Sequence, residues 1–316
     1  MARLKIKASG PEQTIGALSG GMDYFSHCDT AGDHDLWEGE KEIFRKGYLT
    51  DLITEKAVSF VKRKKHEPFF LSVHYNAPHW PWLTRKDAAE SKRIEKIFHF
   101  DGGSVATYQT MIRHMDEGIG RIFAALKAAK IDRNTIVVFT SDNGGERYSD
   151  TWPLVGKKMD LLEGGIRVPY IVRWPARVKA GRDTDQVAIT MDWVATFLEV
   201  AGVKAHRDYP LDGRSLLKVL RDPKKTFARE LYWKMLFREQ KALRAGNWKY
   251  LSVEGSEFLF NLAKDERERA NMGGRDPKRL AAMRAKVQAW EASLPAHPGA
   301  QFSVPATKAD LVTPSS

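Results

Sequence analysis

The sequence predicts an α/β protein: a mostly parallel sheet with helices on both faces, followed by a small antiparallel sheet with a helix. Three observations carry this. Residues 135–140 form a β-branched and aromatic run of strand length preceded by a long amphipathic helix, the pattern of a buried parallel strand fed by a crossover. Polar, glycine-rich or proline-bracketed loops follow the predicted strands abruptly, and in open α/β sheets ligands sit beyond the carboxyl ends of strands. From Glu230 the helical periodicities give way to short alternating runs separated by turn signals, the form of an antiparallel meander. The 316 residues suffice for one large domain and one small one. The expected division is an α/β domain over 1–228, an antiparallel β subdomain with a helix over 229–295, and a disordered tail over 296–316.

In chain order, residues 1–47 are punctuated by Gly16, Gly20, Gly21, Gly32, Gly39 and Gly47 and read as loop-rich. A helix is predicted over 50–65 from the spacing of Leu52, Ile53, Ala57, Phe60 and Val61, with Thr50 as N-cap and the basic run Lys62 to Lys65 at the C-terminus. Pro68 opens a strand over 69–75. Between 104 and 130, Tyr108, Met111, Ile112, Met115, Ile119, Ile122, Phe123 and Leu126 make one apolar stripe, a core-facing helix that completes a strand-helix-strand unit. A strand over 170–174 follows, then helices over 191–201, ended by Gly202, and 215–221, ended before Pro223. The meander runs 231–236, 241–245, 248–253 and 257–262. A last helix over 277–294 has Leu280, Met283, Val287 and Trp290 on one face.

Composition narrows the function classes. Hydrophobic content of 42% and charged content of 29% describe a globular chain, and no stretch approaches the ~20 apolar residues of a membrane span. The start, with early basic residues and no apolar core, is no recognisable secretory signal, and the single cysteine, Cys28, precludes an internal disulfide and leaves the compartment undecided. The net charge of +11 favours an anionic ligand. Nucleic acid is not indicated, because the basic residues are scattered and no recognition motif accompanies them.

Candidate site residues lie in loops at predicted strand ends. Ser141-Asp142-Asn143-Gly144-Gly145 places a carboxylate beside a carboxamide, oxygen donors suited to a hard cation, although Asp-Asn-Gly is also ordinary turn chemistry. Gly156-Lys157-Lys158 then precedes Glu163-Gly164-Gly165-Ile166-Arg167-Val168-Pro169, and the loop after the 69–75 strand reads Ala77-Pro78-His79-Trp80-Pro81. In this order and spacing the motifs resemble the sulfatase family, of alkaline-phosphatase-like fold. The segments 15–25 and Asp35-Leu36-Trp37-Glu38 resemble family stretches downstream of its nucleophile motif.

The resemblance implies a sulfuric ester hydrolase acting on a sulfated small molecule or glycan. Asp142 and Asn143 would ligate Ca²⁺, with Mg²⁺ the alternative; Lys158 would be a fixed positive charge and His79 a proton donor or sulfate-oxygen contact. The family oxidises a cysteine or serine within Cys/Ser-x-Pro-x-Arg to the formylglycine nucleophile, and that motif does not occur in this sequence. Cys28 lies in Ser-His-Cys-Asp-Thr-Ala and reads as incidental. The family's paired metal-binding aspartates and its Gly-Lys-x-His segment are absent too, so the cation's ligand set is incomplete. The expectation is a truncated or split chain, inactive alone and completed by a missing N-terminal segment or chain. Two other readings remain open: a non-catalytic remnant that binds sulfated glycans or a partner, and a phosphate or phosphonate ester hydrolase of the same superfamily. Asn143 weighs against the latter, since two-zinc relatives usually place histidine there. Full-length family members are often exported.

Overall fold

A computed structural model describes residues 15–17, 21–94 and 102–295. The extreme N-terminus and the tail read as disordered lie outside the described residues. The chain divides into two compact units, one comprising the residues up to 228 without Leu161–Glu163, the other Leu161–Glu163 with the residues from Arg229 on.

The first unit opens on three two-residue strands, β1 (Ile15–Gly16), β2 (Trp37–Glu38) and β3 (Lys41–Glu42), paired antiparallel in that order. Helix α1 (Leu49–Lys64) buries Leu49, Leu52, Ile53, Ala57 and Val61, the face its periodicity predicts. Its N-cap is Tyr48, without a side-chain capping bond, whereas Thr50 is buried inside the first turn. The predicted hydroxyl cap is displaced by tertiary partners. The Leu49 N–H donates to the Tyr24 carbonyl at 2.9 Å, and the Tyr48 hydroxyl donates to the Leu83 carbonyl at 2.8 Å. After the short α2 (Ala88–Arg93), α3 (Val105–Ala128) is capped by Ser104, whose Oγ accepts from the Thr107 N–H at 3.1 Å. Helices α1 and α3 pack closely at Gly118, where a Cβ would stand 2.4 Å from the Thr54 Oγ1.

β4 (Val137–Thr140) and β5 (Tyr170–Arg173) pair antiparallel, Val137 opposite Arg173 and Thr140 opposite Tyr170. A mostly parallel sheet is the expectation from sequence for residues 69–75, 135–140 and 170–174; the ladder these two strands form is antiparallel. A parallel return needs a crossover of about a dozen residues or more, usually a helix, and the chain between them holds only the one-turn α4 (Glu163–Ile166). Residues 69–75 form no ladder among the described residues. Their burial nevertheless alternates: Phe69, Leu71, Val73 and Tyr75 turn inward while Phe70, Ser72 and His74 are exposed. The period-two pattern reports which face is buried, and a ladder additionally needs a neighbour. Helices α5 (Asp192–Ala201), closed by Gly202 in the left-handed region (φ 68°), and α6 (Leu217–Arg221) complete the unit.

The second unit is an antiparallel meander, β6 (Glu230–Met235), β7 (Gln240–Ala245), β8 (Trp248–Val253) and β9 (Ser256–Asn261), with neighbours in sequence paired in space. Glu254 and Gly255 both have positive φ, 49° and 82°, as a two-residue primed turn requires. Helix α7 (Pro277–Ser293) starts with Pro277 after Asp276, whose Oδ1 accepts from the Arg279 N–H at 3.1 Å. Met283 and Val287 of α7 join Leu243, Tyr250 and Leu259 in the core of this unit. No helix among the described residues is long and apolar enough to cross a membrane.

Candidate active site

The site is assembled by backbone contacts that only glycine permits. A Cβ on Gly144 would lie 1.9 Å from the Gly164 carbonyl oxygen, one on Gly164 2.3 Å from that of Gly156, and one on Gly165 2.1 Å from that of Asp160. The glycine pairs are therefore there for close approach of one chain segment to another. Hydrogen bonds fasten the contact: Gly144 N–H to the Gly165 carbonyl at 2.8 Å, Gly164 N–H to the Val155 carbonyl at 2.7 Å, and Lys158 N–H to the Gly145 carbonyl at 2.7 Å. Lys158 is thus tied to the loop that follows β4.

His79 is held from the other side. The Ala77–Pro78 and Trp80–Pro81 peptide bonds flanking it are cis, its N–H donates to the Asn76 carbonyl at 2.7 Å, and its carbonyl accepts from the Tyr24 hydroxyl at 3.0 Å. Gly21 leaves room for the Trp80 ring, 3.1 Å from where a Cβ would be.

The two predicted catalytic side chains meet. Lys158 Nζ lies 3.0 Å from His79 Nε2, and His79 Nδ1 lies 2.9 Å from the Trp80 carbonyl oxygen. A carbonyl can only accept and an ammonium can only donate, which assigns the proton to Nδ1 and leaves the Nε2 lone pair facing the ammonium. Burial lowers the His79 pKa from its ordinary value and the Lys158 charge lowers it further, against the opposing pull of the Trp80 carbonyl, Glu146 and Asp142. The imidazole is neutral at pH 7. Glu146 Oε2 stands 3.8 Å from Lys158 Nζ.

Asp142 is exposed and Asn143 half-buried. The Asn143 amide Nδ2 donates to the Gly144 carbonyl at 2.8 Å, which orients its Oδ1 as an acceptor. One carboxylate and one amide oxygen fit a hard, oxygen-ligated cation in kind, but supply only part of the about six to eight oxygens Ca²⁺ takes. Among the described residues no group of three or more His, Cys, Asp or Glu is placed to hold a metal. Cys28 carries a free, half-buried thiol whose Sγ lies 3.7 Å from the Ser26 carbonyl oxygen, and its backbone forms an isolated antiparallel bridge with that of His34.

Three contributors escape a reading of the motifs alone. Glu146 looks like an ordinary surface charge, Tyr24 like a core aromatic and Gly21 like a loop residue. Their roles arise from approach between segments as many as 59 positions apart, from Gly21 to Trp80.

The sequence profile of the family described as Sulfatase matches residues 7–203, and one described as "N-sulphoglucosamine sulphohydrolase, C-terminal" matches residues 152–288. The uncharacterized sulfatase YdeN of Escherichia coli (strain K12) is 32% identical over 215 residues, 65% of this chain and 37% of that protein. The N-acetylgalactosamine-6-sulfatase of Homo sapiens is 32% identical over 179 residues, 54% of this chain and 32% of that protein. The chain spans about a third of the length of these curated relatives. Among solved structures, Ps i-CgsB superposes with a TM-score of 0.77 at 28% identity, covering 89% of this chain and 66% of its own, and is also solved with k-i-k-neocarrahexaose. The α/β architecture is that of the alkaline-phosphatase-like sulfatases. A profile match that spans most of the α/β unit, with the motif residues meeting in space, is sufficient to assign the chain to the sulfatase family.

Proposed function

We propose that this chain carries the cation and proton-donor half of a sulfuric ester hydrolase site, and that a further segment brings the nucleophile. The observation that carries the reading is the contact of Lys158 Nζ with His79 Nε2 at 3.0 Å. Cleavage of the sulfur–oxygen bond puts negative charge on the leaving oxygen and on the non-bridging oxygens. A fixed ammonium stabilises that charge and a nearby acid neutralises the leaving group. In the free site Lys158 donates to His79. An entering sulfate ester draws the ammonium onto its own oxygens, and its negative charge raises the proton affinity of the released Nε2. His79 then takes up a proton from solvent at Nε2 and hands it to the leaving oxygen. Asp142 and Asn143 would hold a Ca²⁺ or Mg²⁺ ion, which when bound draws further charge from the sulfate oxygens.

Several findings support completion by another segment. The curated relatives are about three times as long as the part matched, and Cys/Ser-x-Pro-x-Arg does not occur in the 316 residues. Residues 69–75 have strand-like burial but no paired neighbour among the described residues, so added strands beside them would complete a mostly parallel sheet. A sulfated saccharide as substrate is supported by the name of the N-acetylgalactosamine-6-sulfatase relative and by the oligosaccharide complex of Ps i-CgsB.

The test is made in the chain joined to the nucleophile-bearing segment of a family member. His79→Ala and Lys158→Ala should each lower kcat on an aryl sulfate by about a hundredfold or more. Full turnover in either variant would remove that residue from the reaction.

A further inference from the structure

Two buried tyrosines reach the loop of residues 76–83 that carries His79. Tyr24 and Tyr48 are 0% and 4% exposed, and their rings stack with centroids 5.2 Å apart. The Leu49 N–H at the start of α1 donates to the Tyr24 carbonyl at 2.9 Å, so the segment around Tyr24 is joined by backbone to the helix that follows Tyr48. A buried phenol needs a partner for its hydroxyl, and here both partners belong to one loop. Tyr24 donates to the His79 carbonyl at 3.0 Å and Tyr48 to the Leu83 carbonyl at 2.8 Å. Burial raises the pKa of both phenols, so each keeps its proton and donates at neutral pH.

The bonds that orient the His79 ring are local. Its Nδ1 donates to the Trp80 carbonyl at 2.9 Å, one residue on, and its N–H donates to the Asn76 carbonyl at 2.7 Å, three residues back. These fix the ring to its loop, whereas Lys158 arrives on the separate segment tied to Gly145. The distance between the two side chains therefore depends on where the loop backbone is held. A slip of about 1 Å carries Lys158 Nζ and His79 Nε2, 3.0 Å apart, out of hydrogen-bonding range, and misplacement on that scale can cost about a hundredfold in rate.

We propose that the stacked Tyr24–Tyr48 pair is a positioning clamp for this loop, its hydroxyls on the carbonyls of His79 and Leu83 holding the imidazole at the distance at which it meets Lys158. Both tyrosines act through His79 and are positioning residues. Their consequence for turnover rests on the catalytic reading of the His79–Lys158 pair.

Phenylalanine at either position keeps the stacked ring and removes the hydroxyl alone, leaving a loop carbonyl without that donor. Thr196→Val is the control, since it removes another buried hydroxyl of the same unit, which donates to the Asp192 carbonyl at 2.7 Å and accepts from the Leu216 N–H at 2.9 Å. Nitrogen NMR of the His79 ring in the full chain at pH 7, identified by its loss in His79→Gln, reads the tautomer. Wild type and Thr196→Val should hold the proton on Nδ1. Tyr24→Phe should exchange between the Nδ1–H and Nε2–H forms, and Tyr48→Phe should do so to a smaller degree. In the protein joined to a nucleophile-bearing segment, Tyr24→Phe should lower kcat on an aryl sulfate about tenfold or more with KM within about twofold, and Thr196→Val should leave both unchanged. An unchanged tautomer in both phenylalanine variants overturns the clamp, as does an equal change in Thr196→Val. Unchanged kcat in Tyr24→Phe, where His79→Ala has lost turnover, overturns it too and leaves the catalytic reading standing. If the phenylalanine variants change the tautomer while His79→Ala keeps full turnover, the clamp stands and the catalytic reading of His79 falls.

Discussion

Replacing Gly144 by alanine puts a methyl group at the contact on which the site geometry depends. Its Cβ would be 1.9 Å from the Gly164 carbonyl oxygen and 2.8 Å from the Gly165 Cα. All the opposing atoms are backbone, so no side chain can rotate away. The loops must separate by about 1 Å to reach even a crowded contact. That opens the Gly144 N–H to Gly165 carbonyl bond from 2.8 Å to beyond hydrogen-bonding range. Loss of the bond costs about 1 kcal/mol, and overpacking adds about 1–3 kcal/mol, giving a destabilisation of about 2–4 kcal/mol. For a unit of this size that lowers the melting temperature by roughly 4–16 °C. Thermal unfolding of the full chain followed by circular dichroism measures it. Gly120→Ala is the control, because a Cβ there meets nothing within 4 Å and alanine in a helix interior should stabilise by about 0.5–1 kcal/mol. A Gly144→Ala chain that melts with the wild type would refute the claim that the glycine pairs exist for close backbone approach.

In the second unit, Lys249 is fully buried with its Nζ 3.0 Å from Glu163 Oε1 and 2.8 Å from Glu268 Oε1; Lys249→Met leaves both carboxylates buried and should cost about 3–5 kcal/mol in urea unfolding, whereas a loss below about 1 kcal/mol would mean the cluster relaxes into water. Burial raises the Glu268 pKa, opposed chiefly by Lys249, so the folded state keeps that proton to higher pH than the unfolded chain does. The associated stability is fully present below the ordinary glutamate range and is lost as pH rises through the elevated folded value; urea midpoints of Glu268→Gln should show a flatter slope there than wild type, and identical slopes would exclude Glu268 as the source.

The sequence exposed the elements whose signals are local. The apolar stripe from Tyr108 to Leu126 marks α3, found at Val105–Ala128, and Gly246-Asn247 and Gly255 mark the hairpin turns of the meander. Strand direction was hidden, because the apolar run before Asp142 has the same appearance whether its neighbour is parallel or antiparallel. The 69–75 segment shows the same limit, since alternation records burial and not a ladder. Thr50 misled for a related reason: a hydroxyl near a helix start is a good cap only when tertiary partners do not already satisfy the first N–H groups. At the site, Asp142, Asn143, Lys158 and His79 stood out in the sequence as loop residues at predicted strand ends. The 3.0 Å contact of Lys158 with His79 joins residues 79 positions apart, and no local pattern encodes it. Lys249 sits in an alternating strand where a lysine reads as solvent-facing, and only the two carboxylates around it explain its burial.

The most direct test of the half-site account is hydrolysis of p-nitrophenyl sulfate by the 316-residue chain alone and by the same chain joined to a formylglycine-bearing family segment. The nucleophile is a covalent participant, so its absence should remove the reaction instead of slowing it. The account predicts no turnover above background for the chain alone and measurable turnover for the joined protein. Enzymatic turnover by the chain alone, surviving Cys28→Ala, would contradict it.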